Sequence, residues 1–518
     1  MDALVFLIPL MPLVAAMAIG IGHLFGLIEG ENSEGITADI AGWTITMSCL
    51  LALTLLGFDL LGKNTGSYNG GLWLSSDTLD ISINFITTGF NVRLAALFSV
   101  LLAIIIRFSI NYLHREAGYH RFFFMLCLFS SAMLLLVLSG NVVLTFIGWE
   151  VAGLCSYFLI AYAYDRPVAA LNATRVLVTN RIGEASFLLG AGLSYAWTDS
   201  VNWNALNAAS LELSSGEATA IALCFSVAAF AKSAQLPFTP WLARAMEGPT
   251  PSSAVFYGAV MVHAGVYLVI LLSPIFEQAP LAMAMLALVG LTTALYGFVV
   301  GLTQTDVKSS LIFASSGQLG LMFLECGLGF WQLAAWHLSA HAVVRGYQFL
   351  TAPSLMHNLQ GSDKQTTQRK IPAWLYVASL QRFWLDPITD WALVRPVRGL
   401  AHDLSYFDDH VIDYLMGSPA PAIRTISSLA QLEEQIIGAK LDNDSDNFAQ
   451  GSGLAGKLTE WTAAILHWFE DRFVLRGIGK DAIRYGRELG HIANRFELAV
   501  LRPRYLVLFV LITLLVAF

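Results

Sequence analysis

Charged residues are scarce in this chain, and their scarcity excludes most classes of protein. Only 13% of the 518 residues are Asp, Glu, Lys or Arg, whereas 56% are hydrophobic. A soluble globular protein carries about a quarter charged residues, so an ordinary soluble enzyme is excluded. A disordered chain is excluded as well, because such chains lack this much apolar surface. The class that remains is an all-α polytopic membrane protein, most of whose surface faces lipid.

Cysteine, net positive charge and nucleotide-binding glycine motifs are also lacking. The five cysteines lie in apolar stretches without CxxC spacing, which favours core positions over disulfides, iron–sulfur clusters or another metal site. A net charge of -8 gives no basic surface for nucleic acid. No GxGxxG follows a predicted strand, so we expect neither NAD nor flavin here. We therefore predict no cofactor and no redox centre, and assign any redox chemistry to other chains.

Long apolar runs are what the chain has in abundance. A membrane-spanning helix needs about 20 mostly apolar residues, and twelve runs predict about twelve such helices. Their approximate ranges are 2–26, 39–62, 89–110, 121–139, 141–164, 173–196, 217–236, 252–273, 280–303, 309–327, 331–353 and 504–518. The first run lacks a cleavage signal and is interpreted as a retained helix.

The distribution of polar residues divides the chain into four regions. Residues 1–120 hold the first helices, with alternating apolar and polar residues near 63–90 that predict a hairpin on the outer face. Residues 121–354 form the central helical region. Residues 355–503 are amphipathic, which suits the membrane surface, although a small soluble subdomain is also consistent with them. The run at 504–518 forms the last helix.

Basic residues in the short loops predict the orientation. Arg107, Arg115 and Arg121 cluster in one loop, and Arg166 and Arg175 follow in the next loop on the same face. Cytoplasmic loops carry an excess of Lys and Arg. We therefore predict a multi-pass protein of the inner (cytoplasmic) membrane, with its N-terminus outside and residues 355–500 on the cytoplasmic side.

Ionisable residues inside apolar runs are functional by default, because lipid disfavours them. Glu150 lies in the fifth run, Arg181 and Glu184 in the sixth, and Lys232 near the end of the seventh. Carboxylates and amines in neighbouring helices can store and pass protons. Lys308 opens the tenth run, and both it and Arg181 also fit bases that extend to the membrane surface.

Histidines mark the eighth and eleventh runs. His337, His341 and Arg345 are spaced by four residues and therefore share one helix face, and His263 interrupts the eighth run. Two histidines at this spacing could bind zinc, but no HExxH pattern supplies the further ligand. A proton relay explains them more simply, because imidazole titrates near neutral pH. Hydrogen-bonded packing histidines are the alternative.

Two prolines lie at the entry of the eighth run. Pro249 and Pro251 occur in Glu247-Gly-Pro-Thr-Pro251, where they predict a break in the helix. Irregular backbone at membrane depth is tolerated where it lines a hydrated cavity, and discontinuous helices beside buried charges are typical of transporters. The residues alone thus favour ion translocation.

Several linked motifs resemble one family. They are Gly148-Trp-Glu-Val-Ala-Gly-Leu-Cys-Ser-Tyr157, Asn180-Arg-Ile-Gly-Glu184, Ala231-Lys-Ser-Ala-Gln-Leu-Pro237, Ala245-Met-Glu-Gly-Pro-Thr-Pro251, Gln304-Thr-Asp-Val-Lys308 and His337-Leu-Ser-Ala-His341. Together they resemble the antiporter-like subunits of respiratory complex I, in the NuoL/NdhF branch, which is related to the large Mrp antiporter subunit. The resemblance is strong over about 90–350 and weaker near Phe383-Trp-Leu-Asp-Pro387.

The resemblance implies a proton-translocating subunit with two inverted five-helix repeats around a hydrated axis. It implies that Glu150 controls proton exchange at Lys232, while Glu184 replaces an aspartate of the family. Lys308 stands at the bridging lysine, and His337 and His341 stand at the histidines of the central relay.

The chain departs from the family pattern at several positions. Tyr257 replaces the histidine of the broken helix, while His263 appears about two turns later. Arg345 replaces a lysine, and because arginine does not readily deprotonate it is expected to act as a fixed modulating charge. Arg181 is also assigned a modulating role. After residue 354 the second broken helix of the family is missing, which implies a shortened second repeat.

Three functions are consistent with these residues. The first is a proton- or sodium-translocating subunit of a complex-I-like assembly, beside a NuoM-like partner. The second is the ion-conducting subunit of an inorganic-carbon uptake complex resembling DabA–DabB, whose soluble partner would dock on 355–500. The third is a degenerate scaffold subunit, against which the retained Glu150 and Lys232 argue. Expected partners are lipid and other membrane subunits.

Overall fold

The computed structural model describes residues 2–76, 80–359 and 372–407. The chain divides into two units, Met1–Arg395 and Pro396–Phe518, and the first of them holds every candidate site residue. The predicted helix at 504–518 and most of the predicted surface segment 355–503 lie outside the described residues.

Long helices dominate the described part of the first unit, as the composition predicts. They are α1 (Leu4–Leu24), α2 (Glu34–Leu60), α3 (Gly89–Tyr112), α4 (Tyr119–Leu138), α5 (Val142–Ile160), α6 (Pro167–Thr198), α7 (Ser215–Lys232), α8 (Thr250–Leu271), α9 (Pro280–Gly301), α10 (Val307–Gly327) and α11 (Trp331–Leu359). Each coincides with one of the apolar runs before residue 355. Within the described ranges, 8 helices are long and apolar enough to cross a membrane; α6, α7 and α11 are less apolar. The prediction of a helical, multi-pass membrane protein is confirmed.

A two-stranded hairpin connects α2 to α3, in the segment whose alternating pattern predicts it. Strands β1 (Ser67–Ser75) and β2 (Asp80–Ile86) pair antiparallel, with Tyr68 opposite Phe85. Phe85 packs edge-on against Phe6 of α1, with ring centroids 6.1 Å apart. The hairpin is therefore fixed to the end of the bundle at which α1 begins.

Side-chain caps set the start of three helices that carry site residues. Asn141 accepts a hydrogen bond from the Leu144 amide at 2.8 Å and begins α5. Ser214 and Glu217 form a capping box at the start of α7. Asp306 accepts a hydrogen bond from the Ser309 amide at 2.8 Å and begins α10. Such caps satisfy amides that the first helical turn leaves free. The residue at which each helix begins is therefore determined by its local sequence.

The core of the bundle surrounds α8, which is the most enclosed of the candidate spans. Residues along its length are buried against α3, α7 and α11. A helix that is apolar and buried all round belongs to the centre of a bundle. α8 therefore occupies the position where an ionisable or irregular residue is best shielded from lipid.

Ion pairs attach the segment 372–395 to the helical core. Arg244 Nη2 lies 3.0 Å from Asp386 Oδ1, and Arg175 Nη2 of α6 lies 3.1 Å from Asp390 Oδ1. The segment includes the helices Ala373–Leu380 and Leu385–Thr389. The motif Phe383-Trp-Leu-Asp-Pro387, where the family resemblance is weak, thus contains Asp386, one of the residues that attach the segment to the core.

Removing these two carboxylates is expected to loosen the segment. The double variant Asp386→Asn/Asp390→Asn loses the two ion pairs to the core, and it also loses the pairs that these carboxylates make with Arg382 and Arg395 of the segment itself. Each such partly exposed pair is worth about 0.2–1 kcal/mol. Trypsin should then cleave after Arg382 faster than in the native chain, as followed by mass spectrometry of the fragments. Asp199→Asn, in the exposed turn after α6, serves as the control. Equal cleavage rates in all three proteins would show that these carboxylates do not hold the segment in place.

Candidate functional site

Arg181 joins two carboxylates across α5 and α6. Its Nη1 atom lies 2.5 Å from Glu150 Oε2 and 3.0 Å from Glu184 Oε2. The Glu184 side chain is 3% exposed and that of Glu150 is 24% exposed. One guanidinium therefore faces two carboxylates, so the local charge changes when either carboxylate takes up a proton.

Lys232 is completely enclosed at the end of α7. Its side chain is 0% exposed, and its Nζ donates a hydrogen bond to the Trp149 carbonyl at 2.9 Å. The same atom lies 5.1 Å from the centre of the Trp149 ring, a distance consistent with a cation–π contact. Among the described residues no carboxylate lies within 4.0 Å of this nitrogen. A direct ion pair with Glu150, which the resemblance implies, is not formed.

Gly153 separates Lys232 from Glu184. A Cβ atom at this position would lie 3.1 Å from Glu184 Oε1 and 3.3 Å from Lys232 Nζ. The missing side chain leaves the carboxylate and the ammonium facing each other across a small gap. Neither oxygen of Glu184 has a hydrogen-bond partner of good geometry in the described part of the chain. The Glu184 carboxylate thus lies between the Lys232 ammonium and the Arg181 guanidinium, which also contacts Glu150.

The break in α8 lies beyond the two prolines. Pro249 is the N-cap residue, and Pro251 lies in the first turn, where a missing amide proton costs nothing. Pro249 and Pro251 therefore lie at the entry of α8, and the discontinuity expected of this helix lies a few residues further along. The irregular part runs through a π-helical turn at Ala254–Ala259 and a 3-10 turn at Met261–His263.

Close contact with α11 accompanies this irregular turn. A Cβ atom on Gly258 would lie 3.0 Å from the Arg345 carbonyl carbon and from the Gly346 amide nitrogen. The two backbones therefore touch where α8 leaves regular geometry. π-helical turns occur frequently at functional sites, and this one directs His263 toward α11.

Tyr257, in the same turn, is buried against Phe349 with ring centroids 5.7 Å apart. Its hydroxyl has no hydrogen-bond partner among the described residues.

Three histidines form a row between α8 and α11. His263 Nε2 and His341 Nδ1 share a hydrogen bond of 2.9 Å, and the rings of His341 and His337 are 6.4 Å apart. His263 and His341 are 0% and 6% exposed. Within the described ranges, His263 Nδ1 and His341 Nε2 have no hydrogen-bond partner. The row thus has polar atoms available for water or for a moving proton.

His337 ends the row and contacts two residues of α10 that sequence reasoning missed. Its Nδ1 lies 2.9 Å from Glu325 Oε1, and its Nε2 lies 2.8 Å from Gln318 Oε1. Glu325 was detectable by the same rule that singled out Glu150, because it is an ionisable residue inside an apolar run. It lies two residues before the end of α10, within the tenth apolar run.

Lys308 lies at the opposite end of α10. Its Nζ donates a hydrogen bond to Thr250 Oγ1 at 2.8 Å, and the Tyr112 hydroxyl lies 2.9 Å from the same oxygen. Lys308 is therefore connected to the entry of α8 and to the end of α3. The structure shows no direct contact between it and Lys232 or His341, so the bridging role that the resemblance implies requires water or movement.

Arg345 follows His341 by one turn of α11, and its Nη1 donates a hydrogen bond to Gln348 Oε1 at 2.8 Å. Among the residues that the structure describes, no group of three or more His, Cys, Asp or Glu side chains is placed to hold a metal ion. The polar residues therefore form two neighbouring sets. The first is Glu150, Arg181, Glu184 and Lys232, and the second is His263, His341, His337, Gln318 and Glu325.

Two family models match this chain. The model described as NADH:quinone oxidoreductase/Mrp antiporter, TM, matches residues 139–378. The model described as NADH-Ubiquinone oxidoreductase (complex I), chain 5 N-terminus, matches residues 73–123. The first match contains both polar sets.

Curated relatives carry the same family names. NAD(P)H-quinone oxidoreductase chain 5 of Picosynechococcus sp. is 35% identical over 362 residues, covering 68% of this chain and 54% of that protein. The chloroplastic subunit 5 of Nymphaea alba is 35% identical over 367 residues, covering 68% of this chain and 48% of that protein. The chain thus spans about half the length of the curated relatives that it matches.

Solved structures share the fold. The Mrp complex from Dietzia sp. matches with a TM-score of 0.59 at 21% identity, covering 98% of this chain and 62% of that one. A membrane-bound sulfane sulfur reductase, an archaeal respiratory membrane complex, matches with a TM-score of 0.57 at 19% identity, covering 74% of this chain and 80% of that one. With the family models and the curated relatives, they show that the chain belongs to the antiporter-like membrane subunits of the complex I and Mrp type, in the branch of quinone oxidoreductase chain 5.

Proposed function

We propose that this chain translocates protons across the membrane as one subunit of a complex-I-like assembly. The observation that carries the proposal is the fully enclosed Lys232 beside the Glu150–Arg181–Glu184 cluster. Enclosing an ammonium group is costly, and that cost is explained when the nitrogen must lose and regain a proton. The matching family models and relatives support the same function.

Each residue of the first set takes a defined part in the proposed transfer. Lys232 carries the proton, and Glu184 faces it across the gap at Gly153. Glu150 competes with Glu184 for Arg181. Protonation of Glu150 frees the guanidinium to neutralise Glu184, which weakens the field that holds a proton on Lys232. Glu150 thus controls the site without contacting Lys232.

The second set carries the proton onward through the core. His263 and His341 are joined by a hydrogen bond, and His337 extends the row. An imidazole can accept a proton on one nitrogen while it releases another from the second nitrogen. Lys308 supplies a further titrating group at the far end of α10. Arg345 and Tyr257 border this path as a fixed charge and an enclosed hydroxyl.

The partners of the chain follow from the same comparisons. The curated relatives are chains of NAD(P)H-quinone oxidoreductases, and both similar structures come from membrane complexes. We infer an inner-membrane assembly in which redox chemistry takes place on other chains and a NuoM-like subunit is a neighbour. The N-terminus is placed outside because the basic loops mark the opposite face. Co-purified redox subunits would support this assembly, whereas a zinc-binding partner would support carbon uptake.

Glu150→Gln tests the proposed function directly. The amide preserves the size of the side chain and its ability to accept a hydrogen bond from Arg181, but it cannot take up a proton. We expect proton flux to fall by about tenfold or more, the scale of a lost acid–base group. The purified complex that contains the chain is reconstituted into vesicles, a potassium diffusion potential is applied, and an internal pH dye reports the flux.

The control for this experiment is Glu212→Gln, which changes an exposed glutamate in the loop between α6 and α7. Its flux should equal that of the native complex. Gel filtration and subunit composition establish that both variants assemble. Native flux in the assembled Glu150→Gln complex would overturn the proposed role of the cluster.

A further inference from the structure

The end of the bundle at which α10 ends holds a carboxylate that the proposed relay does not yet use. Glu325 lies two residues before Gly327, the last residue of α10, and its side chain is 17% exposed. The loop that follows is open, with Leu328 57% and Phe330 56% exposed. Glu325 is thus a partly enclosed acid beside an exposed loop.

The position of Glu325 extends the histidine row to one surface of the bundle. From His263 in the enclosed centre, the row passes through His341 and His337 to Glu325. α11 begins at Trp331, so His337 lies in its second turn, near the same loop. Lys308 and Glu325 are 17 residues apart on α10, or about 26 Å at the rise of an α-helix. α10 therefore places titrating groups at both ends of a distance close to the thickness of the hydrocarbon layer.

The contacts of His337 suit a group that changes protonation state. Nδ1 faces the Glu325 carboxylate, which accepts a hydrogen bond when ionised. Nε2 faces the amide of Gln318, which can accept through its oxygen or donate through its nitrogen by rotation. Both nitrogens therefore keep a partner whether His337 is neutral or charged. A histidine with a purely structural role needs only one of these arrangements.

Glu325 itself retains capacity for a further partner. Its Oε2 atom is enclosed and has no hydrogen-bond partner among the described residues. Native structures leave few enclosed polar atoms unpaired, and an exception calls for a water molecule or a functional role. A carboxyl group with one oxygen on His337 and the other free can accept a proton at the first oxygen and, once it has rotated that oxygen away from His337, release the same proton.

We propose that Glu325 is the terminal proton carrier of the relay, exchanging protons between His337 and water at the α10–α11 end of the bundle. The inference rests on the proposed function. In one direction the His337 imidazolium gives its Nδ1 proton to the Glu325 carboxylate, leaving a neutral imidazole and a carboxylic acid. The acid then releases that proton to water and becomes a carboxylate again. In the other direction the same steps are reversed, so atoms and charges balance.

With Glu325 as a carrier, protons have a path from the histidine row to one surface of the described bundle. A proton that reaches His341 needs two further groups, His337 and Glu325, to arrive at the exposed loop after α10. Glu325 performs a transfer step here and does not merely position His337. A path of this kind does not depend on helices beyond residue 359.

The variant Glu325→Gln separates proton transfer from hydrogen bonding. Its amide oxygen can still accept the hydrogen bond from His337, so a merely structural role predicts native flux. A proton carrier predicts a fall of about tenfold or more in the vesicle assay with the whole complex. Glu325→Asp restores a titrating carboxyl group and should recover part of the flux.

Glu277→Gln is the matched control, because Glu277 lies at the same end of the bundle and accepts a hydrogen bond from Trp331 Nε1 at 2.8 Å. Its flux should equal the native value. Native flux in Glu325→Gln with loss in Glu150→Gln would overturn this inference alone, whereas native flux in both would overturn the proposed function. If Glu325→Gln does not assemble, His337→Gln carries the test, and native flux in that variant would also overturn the inference.

Discussion

Replacing Lys232 with methionine is expected to reduce proton flux by about tenfold or more while leaving the chain at least as stable as the native one. The side chain is 0% exposed, and its Nζ makes a hydrogen bond only to the Trp149 carbonyl among the described residues. Methionine fills nearly the same volume and carries no amine whose hydration is lost on burial. Replacing an enclosed charge by an apolar group of similar size is often neutral or stabilising.

The combination of results identifies the role of Lys232. A structural lysine would lose stability when it is replaced, whereas a lysine kept for proton transfer loses flux alone. Lys232→Arg adds a second test, because a guanidinium keeps the charge but does not readily deprotonate. We expect it to lose flux as well. Thermal unfolding of the solubilised complex and the vesicle assay measure the two properties on the same preparation.

Ser226→Ala is the matched control for Lys232→Met. Ser226 is buried on the same helix and donates a hydrogen bond to the Ala222 carbonyl at 2.7 Å, away from any titrating partner. Its removal should leave flux unchanged. If Lys232→Met conducts protons as the native complex does, the enclosed amine has no part in translocation and the proposed relay is wrong.

The helical architecture could be predicted from the sequence because each spanning helix corresponds to a continuous run of apolar residues. About 20 mostly apolar residues mark each span. Glu150 and Lys232 could be recognised for the same reason, since a charge stands out in an apolar run. These signals require no knowledge of what lies across the bundle.

The partners of site residues on neighbouring helices could not be predicted in this way. The pair of Arg181 with Glu184 follows from a spacing of three residues, but Arg181 meets Glu150 because α5 and α6 come together there, which the sequence spacing does not show. The break in α8 was assigned to its prolines, because a proline in an apolar run is a visible signal. The irregular turn includes Gly258, where α11 comes into backbone contact, and that is a tertiary contact.

A glycine seam between α9 and α10 is the second feature with a large expected effect. A Cβ atom on Gly320 would lie 2.6 Å from the Ala294 nitrogen and 2.6 Å from the Gly290 oxygen. On Gly297 it would lie 2.5 Å from the Gly317 nitrogen. These neighbours are backbone atoms, which cannot move aside as a flexible side chain can. Small residues at helix contacts let membrane helices pack closely, and this seam fixes α10 against α9.

Gly320→Ala is therefore expected to destabilise the bundle by about 2–3 kcal/mol, the cost of overpacking a dense core. α10 must move away from α9, and it carries Gln318 and Glu325, which contact His337 across the other side of the helix. Flux should consequently fall together with the thermal stability, unlike the result expected for Lys232→Met. Gly192→Ala is the control, because an added Cβ at this exposed position of α6 meets nothing within 4 Å. Equal stability of the two glycine variants would show that α9 and α10 are not in backbone contact. A stability loss with native flux would show that proton transfer does not require α10 to hold its present position.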